Sequence, residues 1–482
     1  MSGRGAKADV ATAARRHSGG GPKPAARYAA GRSARARVPL EAHAELHLGA
    51  DRGDPVLLLE RQAETRLAEL VPIRYGRMLV SPFTFFRGAA AIMAADLAGT
   101  PSSGLECQLC GDAHLSNFGA FASPERRLVF DINDFDETHP GPWEWDVKRL
   151  VASLVVAARD NGFRRRDRAA VARAAVSRYR VAMADFASRR ELDVWYAHAD
   201  LDRVSELARD QLGKQRRKRF AEAQAKARTR DSMQAFRKLT TVVDGQRRIV
   251  ADPPLLVPVQ DLLPDADRED LEKWIRQLLS GYAASLAADR QRLLGAFEFV
   301  DMARKVVGVG SVGTRCWVVL LSGRDENDPL LLQIKEAQPS VLAEFVDGRA
   351  AATSEGERVV SGQRLIQATS DIFLGWHTAV GIDGQSRDFY VRQLRDWKAS
   401  AAVEGMDPAA MRLYGELCGW TLARAHARTG DRIAIAGYLG DDDAFDRALV
   451  DFGERYADRN EKDFQLLLEA SRTGRITVQT GV

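Results

Sequence analysis

Residues 107–137 decide the reading of the chain: Cys107-Gln-Leu-Cys110-Gly-Asp112-Ala-His114-Leu-Ser-Asn117-Phe-Gly, a connection, then Leu128-Val-Phe-Asp131-Ile-Asn-Asp134-Phe-Asp136-Glu137. An apolar strand is expected from Leu105 to Cys110, ending on Gly111-Asp112, with Asn117 five positions beyond the aspartate. A second strand, Arg127 to Ile132, delivers Asp131 and Asp134 at its end. Phosphoryl transfer needs this combination: one carboxylate to orient an acceptor hydroxyl, then an amide oxygen and a second carboxylate to hold Mg²⁺. Asp112 and His114 are therefore the candidate catalytic residues, and Asn117, Asp131 and Asp134 the candidate metal ligands. The competing account is an Asp/Asn-rich turn capped by its own side chains. Two spaced elements coinciding favours the chemical account.

A second block lies far downstream. Lys305-Val-Val-Gly308-Val-Gly310-Ser311-Val-Gly313-Thr-Arg-Cys-Trp-Val-Val-Leu-Leu is a Gly-x-Gly-x-x-Gly flanked by strands on both sides. A dinucleotide fold would need a helix after the glycines, and a Walker A loop would need Gly-Lys-Ser/Thr; neither is present. A strand–glycines–strand hairpin can close over phosphates because glycine has no Cβ. The next apolar run, Leu330-Leu-Leu-Gln-Ile-Lys335-Glu-Ala, offers Lys335 for those phosphates. Gly308, Gly310, Ser311, Gly313 and Lys335 are thus candidate ATP-binding residues. A helix expected over Val341–Thr369 brings Glu357, preferred to Glu344, as the acid that pairs with Lys335. Strands over Ile372–Val380 and Phe389–Leu394 then lead to a hinge. The bland alternative is a β-meander with glycines in its turns.

The wording Gly-Asp-x-His-x-x-Asn resembles the small-molecule phosphotransferases of the aminoglycoside and choline kinase type. That resemblance implies that Asp146, at the start of the helix after Pro140-Gly-Pro, steadies the catalytic loop from beneath, and it favours Asp134 over Asp131 as principal metal ligand. Cys110 departs from the pattern, standing where those enzymes have a histidine. The order of the two blocks is reversed relative to such enzymes. The expected fold is therefore α+β: a protein-kinase-like two-lobe fold, circularly permuted, with a helical catalytic lobe first and a five-stranded antiparallel nucleotide lobe second. Its expected parts are a disordered basic tail (1–40), a mostly helical catalytic domain (41–300), a nucleotide-binding β domain (301–400) and C-terminal helices packing on the catalytic lobe (401–482). From about residue 50 onward the chain also resembles the uncharacterised bacterial family known as domain of unknown function 2252. The motifs that carry this include Ser81-Pro-Phe-Thr-Phe-Phe-Arg-Gly, Gln333-Ile-Lys-Glu-Ala and Ala423-Arg-Ala-His-Ala-Arg. The family name implies no activity.

Composition sets the bounds. Apolar residues make up 45% and charged residues 28%, as in soluble globular proteins. The net charge of +4 calls by itself for no polyanionic partner. No apolar run reaches the ~18 residues of a membrane span. The basic N-terminus lacks an apolar signal core, so a cytoplasmic location is expected. Four cysteines make no disulfide framework, and Cys107-x-x-Cys110 lacks the second pair of a zinc site, which makes both structural. Residues 1–40 carry nine Lys/Arg against one Asp. Lys214–Lys238 carries ten Lys/Arg against two acids, which sets up a rival reading as a non-catalytic nucleic-acid-binding protein. His426, near the end of the helix over 408–428, is expected to answer the helix dipole.

Overall fold

The structure is a computed structural model. It describes residues 22–482 except 50–51, 203–213, 230–231, 244, 264–267, 347–350, 382–383, 395–396 and 398. The chain is mixed α+β with several antiparallel sheets. Among the described residues no helix is long and apolar enough to cross a membrane.

The largest sheet has six strands rather than the five expected. Their order is Gly375–Val380, Ser386–Gln393, Pro329–Ala337, Cys316–Ser322, Glu298–Lys305 and Leu256–Pro258. Every pairing is antiparallel, and Cys316 lies directly opposite Lys335. The central strands read as unbroken apolar runs because both sheet faces are covered. Side chains alternate between faces with period two. Val319, Leu321, Leu332 and Ile334 pack under the Arg268–Ala283 helix, with its Ile275, Leu278 and Tyr282. Val318, Leu320 and Leu331 pack on the opposite side with Ala235, Phe236 and Leu239 of the Ser232–Leu239 helix. Past Leu331 that second face turns polar at Gln333 and Lys335. There it meets the Asp131–Asp136 segment: Arg392 bonds Gln333 Oε1 and the Asn133 carbonyl, both at 3.0 Å.

The helical part is built on Trp143–Asp160, in which every residue from Trp143 to Ala158 is buried. Pro408–Thr429 packs on Arg165–Ser188, close enough that a side chain at Gly419 would strike the Ala175 carbonyl. Ala444–Arg472 lies along Trp143–Asp160, with Gly453 against Val151 and Val155. Ahead of the Asp112 loop lie the short helices Pro55–Ala63, Val71–Met78, Pro82–Gly88 and Ala90–Ala98. Ser81 and Thr84 form a reciprocal capping box that starts the third of these, the helix carrying Arg87.

Several expectations are corrected. Residues 1–21 of the expected tail lie outside the described residues, but Pro24–Arg37 is a helix, not disordered. Its small residues allow close approach: a Cβ at Gly31 would collide with the Ala434 carbonyl, and Arg27 reaches Asp431 at 3.0 Å. Low apolar content misled because contact here is between backbones. Glu298–Lys305, which begins inside the part expected to be mostly helical (41–300), is a strand, because Cys316–Ser322 supplies it with a hydrogen-bonding edge. The Arg268–Ala283 helix, expected with the helical domain 41–300, covers the sheet. The helix expected over 341–369 is confined to Glu355–Ile366, started by the Ser354 side chain accepting from Glu357 N–H, while 347–350 lie outside the described residues. The expected hinge after Leu394 falls partly on undescribed positions.

Candidate functional site

The Glu106–Leu109 strand pairs with His139–Pro142 and releases the chain at Cys110. The N–H groups of Cys110 and Gly111 donate to the two Asp146 oxygens at 2.8 and 3.0 Å. Asp146 thereby fixes the turn from the start of the central helix. Gly111 has φ +84°, and any Cβ there would collide with the Glu137 carbonyl, so only glycine fits. Cys107 and Cys110 are both free and buried, and burial pushes both thiols well up. They are core residues.

Past this turn the Asp112 carboxylate accepts from Arg149 Nε at 2.8 Å. His114 Nδ1 accepts from Ser116 N–H at 3.2 Å, which leaves the ring proton on Nε2, 3.5 Å from Asp112 Oδ2. Burial, aided by the Arg87 and Arg149 charges and opposed by Asp112, lowers His114 to about 3. It is therefore neutral at physiological pH and orients Asp112. Asn117 donates its amide to the Asp112 carbonyl at 2.8 Å. Its own carbonyl accepts from Asn133 N–H at 2.8 Å, which brings Asp134 beside it.

Asp131 and Asp134 sit three residues apart in opposite surroundings. Asp131 is 1% exposed; it accepts from Arg424 Nη2 at 2.5 Å and from Ala368 N–H at 2.9 Å. It is a buried ion pair, so the expectation of Asp131 as a metal ligand is corrected: its strand, Leu128–Ile132, is covered on both faces. The Asp134 side chain is 31% exposed and opens into the cleft.

Lys335, 2% exposed, faces Asp134 Oδ1 at 3.7 Å and Asp136 Oδ2 at 2.5 Å. Burial disfavours its charge, but Asp134 and Asp136 outweigh that and raise it well above the usual lysine range. Asp136 also accepts from Tyr390 Oη at 2.6 Å and Ser311 Oγ at 3.1 Å. Burial favours its neutral form, yet the Lys335 charge, with the bonds from Lys335 and Tyr390, holds it down at about 2. Glu137 goes the other way. Burial, with the Asp136 and Asp112 charges adding, raises it to about 7 although it accepts from Val341 N–H at 2.7 Å.

The glycine hairpin roofs the cleft. Gly308 and Gly313 have φ of +68° and +92°. Its carbonyls are tied to the N-terminal helices: Gly308 O to Arg77 at 2.7 Å, Val312 O to Arg66 at 2.5 Å and Gly313 O to the Leu67 N–H at 2.8 Å. Glu357 does not meet Lys335. Its Oε2 accepts from Thr353 N–H at 2.8 Å and Thr353 Oγ1 at 2.6 Å, a turn earlier in the chain. The Glu355–Ile366 helix instead contributes Arg358, which donates to the carbonyls of Thr138 (2.6 Å), Asp136 (2.9 Å) and Gln338 (2.7 Å). His426 also differs from expectation. It is buried, bonded to Tyr179 Oη at 2.8 Å and lies 3.3 Å from Asp146 Oδ2, so it supports the turn rather than a helix dipole. Sequence reasoning missed Arg149, Arg358, Arg392, Arg424 and Tyr390, whose roles depend on partners far away in the chain.

These groups border a cleft of about 1100 Å³. Asp112, His114, Asn117 and Asp134 open into it from one side, and Gly308, Gly310 and Ser311 from the other. Among the described residues, no group of three or more His, Cys, Asp or Glu side chains is placed to hold a metal ion. An Asn117–Asp134 pair of oxygen donors fits Mg²⁺, which completes its shell with waters and substrate phosphates.

The architecture defines an α+β protein whose cleft sets a glycine hairpin against a strand–Gly–Asp loop, with a buried lysine behind the cleft's acids. The chain belongs to a family described as uncharacterized protein conserved in bacteria (DUF2252), whose profile matches residues 66–470. Neither a curated protein nor a solved structure matches it.

Proposed function

We propose that the protein is a Mg-ATP-dependent phosphotransferase of kinase-like, circularly permuted architecture, acting on a hydroxyl of a small molecule. The observation that carries this reading is Lys335. Its ammonium lies against Asp136, 199 residues away in sequence, and 3.7 Å from Asp134, and these two acids line one cleft with Asp112 and the glycine hairpin. The succession of elements supports it further: hairpin strands, lysine strand, the Glu355–Ile366 helix, then two strands of which the second pairs back onto the lysine strand.

In this reading the open backbone at Gly308 and Gly310 lies over the phosphates, and Lys335 exchanges part of its carboxylate contact for them. Asn117 and Asp134 hold Mg²⁺, which when bound neutralises phosphate charge. Asp112, aimed by Arg149 and His114, orients the acceptor hydroxyl and takes its proton as the new O–P bond forms and the bond to the ADP oxygen breaks. One departure is that Lys335 is held by acids of the Asp134 loop, not by an acid of the following helix.

A thermal-shift titration tests this directly. Millimolar ATP should raise the melting temperature only when Mg²⁺ is present, because a ligand that prefers the native state stabilises it. No shift with any nucleotide would end the reading. Product masses then separate phosphate transfer from AMP transfer.

A further inference from the structure

The cleft has a wall that the transfer chemistry above does not use. Three arginines from the N-terminal helices and their connections, Arg66, Arg74 and Arg87, line it. None of the three makes an ion pair with a described carboxylate. Arg74 is 1% exposed, and although its Nη2 bonds Gln62 Oε1 and the Gly88 carbonyl, its Nε and Nη1 are buried without partners. Arg66 Nε and Arg87 Nε are likewise buried and unpartnered. Burial, and next to it the Arg66 charge, pulls Arg74 well below the usual arginine range, against the opposing Glu137 charge.

Guanidinium stays charged at any physiological pH, and a buried charge without a counter-ion is strongly unfavourable. The clustered guanidinium N–H groups left unpartnered here suit an oxyanion, which accepts charge-assisted bonds from them. Position says which oxyanion. Arg87 is close enough for its charge to act on Asp112 and His114, at the acceptor end of the cleft. Accepting the phosphotransferase reading, we infer that the acceptor carries its own anionic group, a phosphate or a carboxylate, which Arg66, Arg74 and Arg87 hold while Asp112 faces its hydroxyl. That makes the substrate class a hydroxylated anion, not a polycationic aminoglycoside or choline.

The test is calorimetric titration of the full chain with inorganic phosphate, with and without saturating Mg²⁺ and a non-hydrolysable ATP analogue. Phosphate should bind in both conditions. Arg87→Gln should weaken it about tenfold, the loss of one charge-assisted bond of ~1.4 kcal/mol, with nucleotide affinity changed less than about twofold. Arg87→Lys keeps the charge but loses the fork; it should weaken phosphate while leaving the melting temperature as in the parent, which separates binding from folding. If nucleotide displaces phosphate, or Arg87→Gln weakens both equally, the arginines serve the nucleotide's own phosphates and the inference falls. It also falls if the parent protein binds nucleotide and no phosphate. Phosphate binding without nucleotide binding would instead remove the phosphotransferase reading and leave the anion site standing.

Discussion

The Asp112 loop and the glycine hairpin face each other across one cleft and are held in opposite ways. Buried charge fixes the loop: Asp146 grips its N–H groups, Arg149 aims Asp112, and Arg424 pins Asp131 beneath it. Backbone carbonyls fix the hairpin, each taking a hydrogen bond from the Arg66–Arg77 segment. Damage to the first should register as lost stability and damage to the second mainly as lost ligand binding, because an orphaned buried charge costs far more than a loosened surface loop.

The sharpest way to break the contrast is within the loop itself. Arg424→Ala strands Asp131 in the core and should cost about 3–5 kcal/mol in urea unfolding. Asp134→Asn, three residues from that aspartate, should change stability by less than ~1 kcal/mol while abolishing the Mg²⁺-dependent nucleotide shift. If the two losses in stability were equal, the division between structural and cleft-facing acid would be wrong.

Glu137 gives a pH test on the same side of the cleft. The folded protein keeps its proton up to about pH 7, whereas an ordinary glutamate releases it near 4.5. Stability should therefore fall as pH rises through that window and level off above it, by on the order of 3 kcal/mol. Glu137→Gln, which can still accept from Val341 N–H, should flatten this decline. An unchanged slope in urea titrations between pH 5 and 7 would count against the assignment.

On the hairpin side, the effects on stability are smaller. Gly313→Ala must adopt φ +92° with its Cβ 3.0 Å from the Arg66 side chain, and should cost about 2 kcal/mol. Gly308→Ala, at φ +68° in open space, should cost only ~1 kcal/mol. Both should weaken nucleotide more than they destabilise the fold, as nucleotide titrations beside the melting curves would reveal.

What could be read in advance followed from local backbone needs. Gly111 is required by a turn that no Cβ could enter, Asp112 and Asn117 share one loop at the spacing that turn sets, and the Gly308–Gly313 run announces a hairpin because strands flank it. Alternation was legible too, but it could not say that both faces of the Leu128–Ile132 strand would be covered. Asp131 and Asp134 are chemically equal in sequence, and Arg424, nearly 300 residues away, separates them. Glu357 was chosen for Lys335 by position along a helix, yet its neighbour Arg358 faces the site and Asp136 takes the lysine.

The sequence by itself determined the chemical alphabet of the cleft and the turns that display it, since φ and residue spacing act within a few residues. Only the tertiary structure decided which acid is buried, which faces solvent, where protons stay at neutral pH and which arginines lack an ion-pair partner. Those outcomes depend on desolvation and on charges that meet only when distant segments pack together.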